Sequence, residues 1–127
     1  MREPIVFISH FKVREGKLEG FEDLARAAQG ALEEQKPRTV AFLSYLNEER
    51  SEVTIVHLFP DADAMDLHFE GAGERAAAAY EFVEPAGWEI YGRPNAGALE
   101  AMREAAARAD VDLVLQPESM GGFLRLK

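Results

Sequence analysis

The order of apolar and polar positions predicts three strands and one helix in the first half of the chain. The segment Ile5–Val13 is rich in β-branched and aromatic residues and ends at a turn, which predicts a strand. From Lys17 to just before Pro37, apolar residues recur every three or four positions, which predicts an amphipathic helix. Thr39–Asn47 and Glu52–Phe59 are again β-rich and flank a short polar segment, so we expect an antiparallel hairpin.

The second half of the chain alternates helical patterns with shorter strand-like segments. Asp61 is the predicted cap of a helix that runs to Phe69. After it we expect a glycine break at 71–73, a helix at Glu74–Val83, a turn at 84–87, a strand at Trp88–Tyr91, a helix near Ala98–Ala109, and strand-like pieces at Val111–Leu115 and Phe123–Leu126. This order predicts an α+β class with a ferredoxin-like antiparallel sheet, helices on one face, and an added C-terminal helix and strand. Residues 1–127 are expected to form a single domain.

Apolar residues occupy both faces of the predicted hairpin. Val53, Ile55 and Phe59 share one face of its second strand. Val56 and Leu58 share the other face. Helices can cover only one face of such a sheet, so the other face should pack against a second sheet. We therefore predict a homodimer.

Composition limits the classes of partner and site. The 127 residues include 14 Lys+Arg and 23 Asp+Glu, a formal net charge of −9, which disfavours nucleic acids and acidic membrane surfaces as partners. Cysteine is absent, which excludes disulfides, thiolate metal sites and cysteine nucleophiles. The sequence contains no signal-like or membrane-spanning apolar run, so a cytoplasmic protein is expected.

The segment Val56–His68 carries the most specific pattern, because a strand ends in an aromatic residue, Asp61 opens a helix, and His68 follows seven residues later. In this pattern the chain resembles the antibiotic-biosynthesis-monooxygenase-like family. Gly16–Glu19, Glu89–Pro94 and Gly121–Phe123 also resemble longer members. The resemblance implies a dimeric α+β barrel, in which two ferredoxin-like sheets pack face to face, and this agrees with the two apolar faces of the hairpin.

The activities of that family diverge: quinol and polyketide oxygenation without a cofactor, haem degradation, and isomerisation of a signal molecule. His57 stands where the family often has an acidic residue. The haem-degrading branch has Trp at the position of His68 and a haem-ligating His further on, and here no His follows His68. We therefore expect no haem or other cofactor, and the histidine spacing gives a weak metal signal.

Three residues are candidates for catalysis. His68 comes first, because the family His projects toward a cavity between helices and sheet and imidazole exchanges protons near neutral pH. His57 on its apolar strand face and Tyr45, a donor to a developing oxyanion, follow. Each has a structural alternative, as a hydrogen-bonded core histidine or a tyrosine packed at a sheet edge. His10, which shares its face with Lys12, is a weaker candidate.

Substrate binding is assigned to aromatic residues and one cation. Phe42, Phe69 and Trp88 are predicted to shape an apolar pocket for an aromatic molecule, and Arg93 is predicted to hold an anionic oxygen. The alternative for Trp88 and Arg93 is strand-end packing and a surface cation. Gly71–Ala76 satisfies a relaxed dinucleotide-binding pattern but follows a predicted helix instead of a strand, so we reject that function.

These observations leave three functions open. The first is a cofactor-independent monooxygenase that acts on a small aromatic quinol or polyketide-like substrate, with His68 as the base. Such an enzyme needs only a base, an oxyanion partner and a dry pocket, because the ionised substrate itself can give an electron to O₂. The second is a small-ligand or stress-associated binding module without turnover. The third is an isomerase that uses His57 with His68.

Overall fold

The computed structural model describes residues 3–125 of the chain. Its helices and strands are, in chain order, β1 (Ile5–Val13), α1 (Leu18–Gln35), β2 (Ala41–Leu46), β3 (Glu52–Phe59), α2 (Ala62–Phe69), α3 (Ala72–Ala79), β4 (Val83–Tyr91), α4 (Ala96–Ala109) and β5 (Leu113–Gln116). Both long helices of the sequence prediction and its N-terminal strand are therefore present at nearly the predicted bounds.

The strands form one open five-stranded sheet in the order β2-β3-β1-β4-β5. β1 lies at the centre and pairs antiparallel with both β3 and β4. β2 and β3 form the predicted antiparallel hairpin. β5 pairs with β4 in the parallel direction, because α4 carries the chain back across the sheet before β5 begins. The α+β ferredoxin-like class with a C-terminal helix and strand is confirmed, and the added strand makes the sheet mixed.

A helix cap and a glycine set the path of the chain between β3 and α3. The Oδ1 of Asp61 accepts a hydrogen bond from the backbone N–H of Ala64 at 2.9 Å, so Asp61 caps α2 as predicted. Beyond Phe69, Gly71 adopts a φ of 83°. Residues with a side chain rarely adopt this left-handed conformation, so glycine allows the chain to turn directly into α3.

The predicted helix at Glu74–Val83 is present but ends four residues early, and the predicted turn at 84–87 is wrong. α3 ends at Ala79, and Val83 already begins β4. Residues 84–87 belong to β4, where the register with β1 shifts between His10 and Phe11. Pairing with the central strand gives this Pro- and Gly-containing segment backbone partners, and that tertiary interaction outweighs its turn-like composition.

The predicted strand at Phe123–Leu126 is also wrong over its described part. Residues 117–125 form neither helix nor strand, and Leu126 lies outside the described residues. The final strand is β5, close to the predicted Val111–Leu115 segment.

The helices cover one face of the sheet and pack on it in two places. One core cluster joins the sheet to α2 and α4 and includes Ile5, Phe59, Met65, Ile90 and Met102. A second, smaller cluster joins Phe21 of α1 to Val53 and Val83. Between these two clusters the covered face is not filled by side chains.

The opposite face of the sheet carries apolar side chains without a helical cover. Leu43 is 48% exposed, Tyr45 is 58% exposed and Val114 is 41% exposed. Each lies on a strand position that alternates with residues of the covered face. Below, this surface is called the open face.

Among the described residues, none of the helices combines the length and the apolar composition that a membrane span requires.

Candidate active site

The unfilled region of the covered face is a cavity of about 770 Å³. Strands β1 to β4 form its floor, and all four helices contribute to its walls. The floor side chains are Phe7, Ser9, Phe11, Phe42, Ser44, Ile55, His57 and Trp88. Its volume lies within the range of about 300–1,000 Å³ that is typical of small-ligand sites.

His57 lies on β3 in the floor of the cavity and is 6% exposed. Its Nδ1 is 3.0 Å from the backbone carbonyl oxygen of Phe7 on the neighbouring strand. A carbonyl oxygen can only accept, so Nδ1 carries the hydrogen and the Nε2 of the neutral ring keeps its lone pair. No described residue hydrogen-bonds to this Nε2, and no fully buried side-chain nitrogen among the described residues lacks a partner. The Nε2 lone pair is therefore open to the cavity.

His68 lies in the last turn of α2 and brings a second imidazole beside the first. The two ring centroids are 5.1 Å apart, and the rings are nearly perpendicular at 81°. The Nδ1 of His68 is 2.8 Å from the Oγ1 of Thr39, which fixes the orientation of the ring. The β3 strand and the capped α2 helix thus place two imidazoles at one end of the cavity.

Both imidazoles are neutral at neutral pH. Burial lowers the pKa of His57 from 6.5 to about 4, against the opposing effect of the hydrogen bond to Phe7. Burial also lowers the pKa of His68 from 6.5 to about 3, and the charges of His57 and Arg75 lower it further. Each histidine therefore presents an uncharged ring that can accept or donate a proton.

Aromatic rings surround the histidine pair. Phe7 and Phe42 lie 4.8 and 5.0 Å from the ring of His57, centroid to centroid. Phe59 lies 5.2 Å from the ring of His68. Because these rings leave little polar surface around the imidazoles, this end of the cavity provides a low-dielectric environment in which electrostatic interactions are strong.

Arg75 is a cation at the same end of the cavity that the sequence analysis did not identify. Its Nη2 donates to the carbonyl of His68 at 2.6 Å, and its Nη1 donates to the carbonyl of Glu70 at 3.0 Å. These contacts satisfy carbonyl groups at the C-terminal end of α2. Among the described residues no carboxylate pairs with Arg75, and its charge depresses the pKa of both histidines. The guanidinium is thus available to an anion formed beside the imidazoles.

The structure brings most, but not all, of the predicted site residues together. Both histidines and the predicted aromatic residues Phe42, Phe69 and Trp88 line the cavity. Tyr45 does not, because strand alternation directs it to the open face while Phe42 and Ser44 face the cavity. Arg93 does not either, because it follows the end of β4, where its Nη2 is 3.5 Å from an oxygen of Glu118. The two residues predicted to steady an anion therefore lie outside this cavity.

His10 also lies on the open face. Its Nε2 contacts one carboxylate oxygen of Glu89, and the hydroxyl of Tyr91 donates to the other oxygen. The Oγ1 of Thr54 is 3.3 Å from the Nδ1 of His10. The third histidine is thus paired with a carboxylate and does not take part in the cavity.

Within residues 3–125 no group of three or more His, Asp or Glu side chains is arranged to hold a metal ion.

The open sheet with helices on one face defines a ferredoxin-like α+β domain, and two neutral imidazoles line the apolar cavity between its sheet and helices. Solved structures confirm the fold. MupZ from Pseudomonas fluorescens has a TM-score of 0.74 at 15% identity, over 98% of this chain and 96% of its own. The cofactor-independent oxygenase SnoaB from Streptomyces nogalater has a TM-score of 0.59 at 17% identity, over 73% of this chain and 95% of its own.

A third similar structure, provisionally described as an antibiotic biosynthesis monooxygenase, is from Caulobacter crescentus CB15. It has a TM-score of 0.63 at 17% identity, over 70% of this chain and 88% of its own. No protein-family model and no curated protein sequence matches the chain. The resemblance stated from the sequence is thus confirmed at the level of the fold: the chain has the fold of the antibiotic-biosynthesis-monooxygenase-like proteins.

Proposed function

We propose that this protein is a cofactor-independent monooxygenase that oxidises a small aromatic substrate, a quinol or a polyketide-like ring, in the cavity of the covered face. One observation carries the proposal: the lone pair of His57 Nε2 opens into an apolar cavity. A second imidazole lies close by, as does a guanidinium that pairs with no carboxylate among the described residues. The oxygenase SnoaB shares the fold, which supports the proposal independently of the site.

His57 is the proposed base. Its low pKa keeps Nε2 unprotonated at neutral pH and therefore ready to accept a proton. An anion that develops in the cavity raises the proton affinity of the neighbouring ring, since opposite charges stabilise each other strongly in a low-dielectric site. Arg75 attracts the same anion from the α3 side, in the role that was first given to Tyr45 and Arg93.

His68 is the proposed partner of His57. If the hydroxyl of Thr39 donates to Nδ1, the hydrogen of the His68 ring lies on Nε2. The site then contains an acceptor on His57 and a donor on His68, with the rings 5.1 Å apart. Such a pair can remove one proton from the substrate and donate a hydrogen bond to the oxygen that becomes negative.

The oxidation balances with O₂ as the co-substrate. For a ring methylene that becomes a carbonyl, the change is R₂CH₂ + O₂ → R₂C=O + H₂O. His57 removes one proton, and the resulting carbanion reduces O₂ and forms the C–O bond of a peroxide. Loss of the second ring proton breaks the O–O bond, which leaves one oxygen in the product and one in water. The carbon loses four electrons and O₂ gains four.

An oxygen electrode with a panel of anthrones and quinols tests this proposal. We expect saturable O₂ uptake, with one O₂ consumed for each carbonyl formed from an anthrone. Product formation of equal rate without O₂ would identify an isomerase instead, which the two adjacent neutral imidazoles would also serve. Saturable binding with every substrate recovered unchanged would identify a binding module.

We also propose that two copies pack through their open faces as a homodimer. The exposed apolar side chains Leu43, Tyr45 and Val114 support this assembly, because such a surface is costly to leave in water. Native mass spectrometry of the purified protein at low micromolar concentration should show the dimer mass. We infer a cytoplasmic location, a small aromatic or hydrophobic ligand, and neither nucleic acid nor membrane as partner, in line with the net charge of −9.

A further inference from the structure

The cavity extends well beyond the histidine pair, along the central strand. Phe7 on β1 lies beside His57 at one end, and Phe11 lies beside Tyr80 with ring centroids 6.4 Å apart. Both phenylalanines line the cavity. Four residues of a β-strand span about 13 Å, so the two ends are separated by about this distance.

The far end contains a cation and a phenol. Tyr80 directly follows α3, and Arg108 lies in the last turn of α4, and both line the cavity. The segment that follows α4 is bound to β4 near this position, because the N–H of Trp88 donates to the carbonyl of Asp112 at 3.0 Å. Trp88 is adjacent to Gly87, which pairs with His10 of β1. Residues of three separate elements thus meet at the Phe11 end.

Neither polar group at the far end has a partner within the described residues. Among residues 3–125, no carboxylate lies within 4 Å of Arg108, although acidic residues outnumber basic ones in the chain. Within the same range, no group hydrogen-bonds to the hydroxyl of Tyr80. Burial raises the pKa of Tyr80 and the charge of Arg108 opposes that rise, which is consistent with their proximity.

The region between the two ends is mainly apolar. Its walls are formed by Leu24 and Ala28 of α1, Ala76 of α3 and Met102 of α4. In the floor, the hydroxyls of Ser9 and Ser44 flank Ile55 on its two neighbouring strands. Glu74, the carboxylate among the described lining residues, is exposed and lies in the first turn of α3, at the histidine end. A ligand that fills the cavity therefore meets imidazoles and a cation at one end, a phenol and a cation at the other, and mainly hydrocarbon with two serine hydroxyls in between.

We propose that the substrate is an organic acid: an aromatic ring that loses its proton at His57, joined by an apolar body to a carboxylate that binds Arg108 and Tyr80 about 13 Å away. This inference rests on the proposed function for the ring end, and it adds a specificity site at the other end. The guanidinium and the phenol hydroxyl both donate hydrogen bonds. A carboxylate accepts these bonds and is also attracted by the positive charge, whereas a neutral amide accepts only weaker hydrogen bonds.

Two probes that differ at one group test the carboxylate site. One is a naphthol with a flexible carboxyalkyl chain on the far ring edge, long enough to span about 13 Å, and the other is its primary amide. Binding is measured by calorimetry without O₂. We expect wild-type protein to bind the acid about fivefold more tightly than the amide, as an ion pair with the exposed Arg108 allows, and the preference should shrink as salt is added. Equal affinities for acid and amide would overturn the proposal.

Variants locate the preference on the protein. Arg108→Gln should abolish it by weakening the acid far more than the amide, and Tyr80→Phe should reduce it. Arg103→Gln is the matched control, because Arg103 is an exposed cation of the same helix that does not line the cavity. Loss of the preference in Arg103→Gln to the same extent would overturn the proposal, since it would show an effect of surface charge alone. Should Arg108→Gln fail to fold, the comparison of the two probes in wild-type protein still decides.

The outcomes also separate this inference from the proposed oxygenase. Absence of O₂ uptake with a retained acid preference would refute the oxygenase and keep the carboxylate site. O₂ uptake from neutral quinols with no acid preference would support the oxygenase and refute the carboxylate site.

Discussion

The two faces of the sheet place histidine in opposite environments. On the covered face, His57 donates to a backbone carbonyl, and burial holds its pKa at about 4. On the open face, His10 contacts a carboxylate, and its side chain is 38% exposed. One face thus keeps an imidazole neutral and available, whereas the other occupies its imidazole in a polar network.

This contrast shows that surroundings, and not residue type, decide which histidine can act on a ligand. Removing an imidazole from water without giving it a negative partner favours the uncharged ring. On the open face, the carboxylate of Glu89 occupies the nitrogen of His10 that a ligand would need. The following experiments test this contrast between the faces, from the largest expected effect to the smallest.

The largest effect is expected on catalysis. His57→Gln should lower the rate of O₂ uptake by about 10²–10⁴-fold, the usual contribution of a general base. His10→Gln, which removes the histidine of the open face, should keep the wild-type rate. A full rate in His57→Gln would refute the base assignment, and a full rate in His68→Ala would remove His68 from the mechanism.

The next effect concerns assembly. Leu43→Asp places a charge in the proposed dimer interface and should raise the dimer dissociation constant by at least about 100-fold, because an unpaired charge buried in an interface costs several kcal/mol. Leu67→Asp is the control, since Leu67 of α2 is 43% exposed and lies outside the open face. Native mass spectra at one concentration compare the two variants. A dimer that survives Leu43→Asp unchanged would place the interface elsewhere.

The two faces should also lose stability in different pH ranges. The folded pKa values of His57 and His68, about 4 and about 3, lie below the unfolded value of 6.5. The unfolded chain therefore binds protons first, and stability is lost as the pH falls below 6.5, by at most about 1.4 kcal/mol per pH unit for each histidine. On the open face, hydrogen bonds from His10 and Tyr91 lower the pKa of Glu89 from 4.5, so its contribution is lost only at still lower pH.

Urea unfolding at pH 7, 6 and 5 measures the contribution of the covered face. His57→Gln and His68→Gln should each flatten the dependence of the unfolding free energy on pH, and the double variant should flatten it most. A wild-type unfolding free energy that stays constant between pH 7 and 5 would contradict the neutral state of both rings.

The smallest effect tests how tightly α1 closes the covered face. A Cβ added to Gly20 would lie 2.5 Å from the ring of Phe82, so Gly20→Ala should lower the unfolding free energy by about 1–3 kcal/mol. Gly30 lies on the same helix with no atom within 4 Å of an added Cβ, so Gly30→Ala should raise it by about 0.5–1 kcal/mol. The melting temperatures of the two variants should shift in opposite directions. Equal shifts would show that helix propensity, without a clash at Phe82, accounts for both.

Much of the fold followed from periodicity, and the exceptions have physical causes. The helix at Leu18–Gln35 and the hairpin strands carry their own apolar patterns, so the sequence predicted them well. The first half of β4 has the composition of a turn and becomes a strand only through pairing with β1, a long-range interaction that no local pattern displays. The same limit applies to β5, whose direction depends on where α4 returns the chain.

The lining of the cavity was predicted in part, for a similar reason. His57, His68 and Phe42 were identified because residue type and strand or helix position suggested them. Arg75 was missed, because its position is set by hydrogen bonds to carbonyls at the end of another helix. A lone arginine in an alanine-rich helix was the available signal. Tyr45 was misplaced because a strand residue of the right chemistry can lie on either face.

The irregularity in β4 divides that strand into two phases. Val83 and Pro85 precede it, and Trp88 and Ile90 follow it, so the positions that face the helices change from odd to even numbers. Ala86 is the extra residue, since its neighbours pair with Phe11 and His10 and it pairs with neither. Deleting it would force one half of β4 to turn its covered-face side chains toward the open face. Either Trp88 would turn toward the open face and Glu89 toward the cavity, or Val83 would leave the core. A single-residue deletion here therefore reverses the direction of every side chain in half of the strand. Removal of one residue from 117–125, which pair with no strand, has no comparable effect.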